Sequence, residues 1–149
     1  MLSAVGTITL EWAFIDAEVT YMCQSFWSNQ HPGQMMPRSF DKRSEYLKLY
    51  AVTLWRDEPS KQKGFDKYMQ RVKTANGKRD DVCHGVPGQI TRRGRRYFGL
   101  RIVHPSQATR YPDMTVDQLE RLAEELGHLA AETINVRVEF DKARHGSSQ

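Results

Sequence analysis

Residues 8 to 26 read ITLEWAFIDAEVTYMCQSF, and their apolar members Ile8, Trp12, Ile15, Val19, Met22 and Phe26 recur at steps of four and three. A half-buried strand alternates at every second residue, whereas steps of three and four return the side chain to one side of an α-helix. The stretch therefore predicts a long first helix with a single buried stripe. The acidic residues Glu11, Asp16 and Glu18 fall between the stripe positions and read as a solvated face, with pairing to Arg79 as the lesser alternative. Outward from this helix the same pattern recurs. A polar, breaker-rich turn spans 29–37 with His31-Pro32-Gly33, and Ser39 then offers a hydroxyl cap for a second helix with Phe40, Leu47, Tyr50 and Leu54 on its inner side. Past Asp57-Glu58-Pro59-Ser60, a third helix is predicted from Phe65, Tyr68, Val72, Ala75, Arg79 and Val82. Arg79 thus falls on an apolar seam, where an arginine must be paired, reach outward, or line a polar site. Asn76-Gly77 are poor helix formers that could instead end this helix early, in which case the phase extrapolated to Arg79 would not hold.

After Gly85 and Pro87 the period falls to two. Ile90, a turn at Arg93-Gly94, and Tyr97 to Val103 predict a small β-hairpin over about 88–104, followed by a loop from Pro105 to Pro112. Leu119, Leu122, Leu126 and Leu129 then mark a last helix, at whose start Thr115 and Gln118 have capping-box spacing. Four amphipathic helices with narrow stripes predict a mainly α fold. The expected form is an up-and-down four-helix bundle with the hairpin inserted between helices 3 and 4. At 149 residues and 39% apolar content the chain suits one domain over 1–140, with 141–149 expected as a frayed tail. Trp12, Trp27 and Trp55 lie on or near the stripes and are read as core or dimer packing.

The net charge is +4, unevenly spread. Between residues 71 and 101, nine basic side chains stand against Asp80 and Asp81 alone, so this window carries +7 and the remainder −3. Such a local field favours polyanions such as RNA, DNA or an acidic protein surface. A solvated basic loop is the plainer alternative. Neither a long apolar span nor a signal peptide is evident, so a cytoplasmic protein without a membrane partner is expected. Cys23 and Cys83 are too few for a disulfide framework. Cys83, His84 and His104 lack a fourth partner at metal-ligand spacing, so no metal and no cofactor is expected.

The sharpest motif is Arg79-Asp80-Asp81-Val82-Cys83-His84-Gly85, in which four residues separate an arginine from a histidine at the end of a predicted helix. It resembles the signature of HEPN domains, four-helix proteins with an arginine, commonly a polar residue such as asparagine next, and a histidine after four to six residues. The helical order over most of the chain is similar too; Asp80 departs from the common asparagine. The resemblance implies a metal-independent endoribonuclease of the toxin–antitoxin or phage-defence kind, with Arg79 and His84 catalytic and paired across a homodimer. RNA is then the substrate, with Arg92, Arg93, Arg95 and Arg96 of the hairpin on its phosphates and Tyr97 or Phe98 stacking on its bases, and an antitoxin or other partner protein is a ligand. Asp80, Asp81 and His104 are the expected supporting groups. The residue types suit that chemistry. Attack by a ribose 2′-hydroxyl needs a base, an acid and positive charge on the phosphorane. Histidine exchanges protons near neutrality and arginine presents a permanent planar fork to phosphate. Two other readings stand beside it: a catalytically inactive HEPN-like module that binds RNA, nucleotide or a partner protein, and a purely structural dimeric adaptor. In the plainest reading Arg79 bonds helix-end carbonyls or Asp80, and His84 caps the helix.

Overall fold

The computed structural model describes residues 1–102 and 113–146. The chain is mainly helical, with four helices and a small antiparallel sheet between the third and the fourth. In chain order these are α1 Leu2–Gln30, α2 Phe40–Leu54, α3 Pro59–His84, β1 Gly85–Arg92, β2 Arg95–Ile102, β3 Met114–Thr115 and α4 Val116–Gly146. No helix among the described residues is long and apolar enough to cross a membrane.

The stripes of α1, α3 and α4 are buried largely where predicted: Ile8, Ile15, Val19 and Met22 of α1 are wholly covered, as are Val72 of α3 and Leu119 of α4. In α2 only Leu47 of the predicted four is buried; Phe40, Tyr50 and Leu54 are half-buried, and Arg43, Ser44 and Ala51 complete the inner side. Ser39 caps α2 by accepting from the Lys42 amide at 3.4 Å. Three features settle or extend the sequence reading. First, α3 passes through Asn76-Gly77 without a break, as the spacing through Val82 predicts, and the alternative early end does not occur. A mid-helix glycine costs about 1 kcal/mol, and burial of Ala75 and Val82 on either side offsets it. Second, β1 begins directly after His84, and Met114-Thr115 adds a third strand, giving the order β1-β2-β3. Third, α4 continues past Phe140 to Gly146. The predicted loop from Pro105 to Pro112, and His104 before it, lie outside the described residues.

The chain divides into two compact units. One comprises Met1–Trp12 and Ala75–His128, and so contains the start of α1, the end of α3, the sheet and the start of α4. Its core includes Ile8, Trp12, Val82, Ile90, Leu100, Leu122 and Leu126. The other comprises Ala13–Thr74 and the chain from Leu129 onward. It is organised around Phe140, which meets Phe26 edge-on at 5.0 Å between centroids, Trp55 edge-on at 5.3 Å, and Phe65 in a stack at 5.2 Å. Such aromatic pairs contribute about 0.5–1.5 kcal/mol each beyond the area they bury.

In this second unit the presumed solvated face of α1 is largely spent on ion pairs. Asp16 accepts from the buried Arg43 at 2.5 Å, and Glu18 lies 3.1 Å from Arg137. The expectation that Asp16 and Glu18 face water is therefore corrected: helices packing beside α1 bring an arginine to each of them.

Candidate functional site

The motif arginine and histidine both belong to α3, in the first unit. Arg79 occupies the seam between Ala75 and Val82, as its spacing predicts. Trp12, 3% exposed on the facing side of α1, takes its guanidinium over the indole at 5.5 Å from the ring centroid. The same guanidinium donates through Nη1 to Asp80 Oδ1 at 2.6 Å. The Arg79 side chain remains 31% exposed, so it reaches outward along the indole rather than burying its charge. Asp81 is buried next to Val82, while Cys83 and His84 are exposed on the last turn. Five helical steps of 100° place Arg79 and His84 about 140° apart around the axis. A single copy therefore presents them on different sides of α3.

The hairpin follows immediately. Arg93 at φ 49° and Gly94 at φ 74° close it in a two-residue turn with both residues left-handed, the geometry that matches strand twist. The register pairs Arg92 with Arg95 and Ile90 with Tyr97. Alternation then sets Arg95 and Tyr97 on one face of the sheet, and Arg96 and Phe98 on the other. Tyr97 and Phe98 are 40% and 56% exposed. Arg93, Arg95, Arg96 and Arg101 are exposed as well, and none of their side chains makes an ion pair or hydrogen bond with another described residue. Within the basic window of residues 71–101 the helical members differ: Arg71, Lys73, Lys78 and Arg79 each stand within 4 Å of a carboxylate. The positive field read from the sequence is thus neutralised along the helices and left open on the hairpin.

A second group of residues joins the hairpin here that sequence reasoning missed. Arg93 and Tyr97 share an open depression of about 610 Å³ with Thr115, Asp117, Gln118 and Arg121. Its wall is fixed by the capping box at the start of α4, where the Thr115 amide donates to Gln118 Oε1 at 3.0 Å and the Gln118 amide donates back to Thr115 Oγ1 at 3.4 Å. What carries α4 to this place is the pairing of β3 with β2, Gly99 opposite Thr115 and Leu100 opposite Met114. A Cβ on Gly99 would stand 2.1 Å from the Met114 carbonyl oxygen, so only glycine permits this approach. Both halves of the capping box were visible in the sequence. Their neighbourhood with the hairpin depends on a two-residue strand that no periodicity announces.

Among the described residues, no group of three or more histidine, cysteine, aspartate or glutamate side chains is placed to hold a metal ion. Comparison with protein-family models, with curated proteins and with solved structures found no match.

Proposed function

We propose that this chain is an RNA-binding domain whose hairpin grips the phosphate backbone, and that it cleaves RNA in the manner of HEPN ribonucleases when two copies bring Arg79 of one and His84 of the other to one phosphate. The observation that carries the binding reading is the contrast in charge pairing within the 71–101 window, between its members on α3 and those on the hairpin. Arginines exposed without a carboxylate, beside two exposed aromatic rings, match what single-stranded RNA requires: counterion release at phosphates and stacking surfaces for bases. Histidine would move the proton at the 2′-hydroxyl or the leaving oxygen, and arginine would hold the charge that develops on the phosphorane. The 140° separation on α3 makes a second copy a requirement of this cleavage rather than an embellishment.

A binding module without turnover is the alternative, and Asp80 favours it. Its carboxylate already occupies an Nη1 hydrogen of Arg79, and it weakens the field that a scissile phosphate would meet.

One assay separates the two: a mixed RNA pool is incubated with the protein and EDTA, using the native chain, Arg79→Ala, His84→Ala, and the two variants mixed. Cleavage by the native chain that leaves cyclic phosphate ends, is lost in each variant and partly returns on mixing is the result expected of a site shared between copies. Salt-sensitive binding with no cleavage selects the silent module. Absence of both binding and cleavage refutes the proposal and leaves the structural adaptor.

A further inference from the structure

We propose that the depression between the hairpin turn and the first turn of α4 is a nucleotide subsite that selects guanine within single-stranded RNA, an inference that rests on the RNA-binding reading. Asp117 and Arg121 stand four residues apart on α4, the spacing at which an acid and a base on a helix ordinarily pair. Both line the depression, yet neither side chain makes an ion pair or hydrogen bond with any described residue. Arg93 lines it from across the turn and is likewise unpaired. It also holds a left-handed backbone conformation, φ 49°, at a turn position that asparagine, aspartate or glycine occupies more readily. The depression thus gathers two permanent cations, one carboxylate and the exposed ring of Tyr97 in about 610 Å³, a volume within the range of small-molecule sites.

Each group has a counterpart on one nucleotide. Arg93 and Arg121 suit its flanking phosphates, and the Tyr97 ring suits the face of its base. An ionised carboxylate only accepts hydrogen bonds. Guanine alone among the four RNA bases offers two adjacent donors on its Watson–Crick edge, the ring N–H and the exocyclic amine, which together match the two oxygens of Asp117. Adenine and cytosine set one amine beside an acceptor, and uracil sets one N–H between two carbonyls; each would place an oxygen or nitrogen lone pair against the carboxylate.

The test measures fluorescence anisotropy of end-labelled pentamers UUGUU, UUAUU, UUCUU and UUUUU against the full chain at one low salt concentration. The native protein is compared with Asp117→Asn and Tyr97→Ala, each checked for native helicity and melting temperature. The expected result is that UUGUU binds about tenfold more tightly than the other three, the scale of one good bidentate base contact. Asp117→Asn is expected to reduce that margin to within about twofold without weakening UUUUU, since a negative charge has been removed. Tyr97→Ala is expected to weaken UUGUU by about tenfold, the scale of one stacked base. Equal, salt-sensitive binding of all four pentamers by the native chain, or an unaltered guanine margin in Asp117→Asn, overturns the subsite and leaves RNA binding standing. If none of the pentamers binds, the RNA-binding reading itself fails and the subsite with it.

Discussion

Tyr68 and Cys23 show what burial does to single groups in this chain. The Tyr68 ring is buried, and its hydroxyl donates to Thr133 Oγ1 at 2.9 Å, while Thr133 donates on to the Leu129 carbonyl at 2.7 Å. Loss of water around the phenol pushes its pKa up to about 12, against the lowering effect of the Thr133 hydrogen bond. Burial pushes the Cys23 thiol up to about 11, with Arg43 pulling the other way. Both groups hold their protons more tightly folded than unfolded. Their contribution to stability is therefore complete below the unfolded values of 9.0 and 10.0, and is lost as pH rises through about 11 and 12. Urea midpoints measured from pH 7 upward should stay level to about pH 9 and then fall steadily, and Cys23→Ala should remove the earlier part of that fall. Thr133→Val should cost about 1–2 kcal/mol in the same urea unfolding, because it leaves the buried Tyr68 hydroxyl without its acceptor. None of these pairings is legible in the sequence. Tyr68 and Thr133 are 65 positions apart, and only the packing of α3 against α4 brings them together.

At the scale of elements, the helices were largely written in the stripe spacing, because burial of one side is what makes an amphipathic helix form at all. Ser39 and the Thr115–Gln118 pair likewise announced two helix starts through local chemistry that needs no tertiary partner. The sequence left two readings open where tertiary burial overrides local preference, as at Asn76-Gly77, and misled where the partner is remote, as at Asp16 with Arg43. The Arg79–His84 motif was legible as letters, but the continuation of α3 to His84 decides that the two side chains point about 140° apart. The third strand is the element on which the candidate site depends, and Gly99 is its key. Gly99→Ala forces a Cβ into the Met114 carbonyl, so it should unpair β3 from β2 and detach the start of α4 from the hairpin. Hydrogen exchange is expected to show lost protection at residues 99–100 and 114–118, with the helices around Phe140 unaffected.

At the scale of the whole molecule, the +7 window of residues 71–101 has two fates. Its helical members are tied to carboxylates: Arg71 to Glu132, Lys78 to Glu125 and Arg79 to Asp80. Its described hairpin members keep their charge for something outside the described chain. Composition alone reported the surplus but could not say where it was left unspent, since pairing is a property of the folded arrangement. The central claim is that this unspent charge meets RNA phosphate. The most direct measurement is the salt dependence of binding to a single-stranded RNA, comparing the native chain with the triple variant Arg93→Gln, Arg95→Gln, Arg96→Gln. Each phosphate contact to a single strand contributes a slope of about 0.7 in log affinity against log salt, so the triple variant should lose about two from the slope and bind weakly even at low salt. A native chain that fails to bind RNA at low salt, or a triple variant with the native slope, would contradict the account.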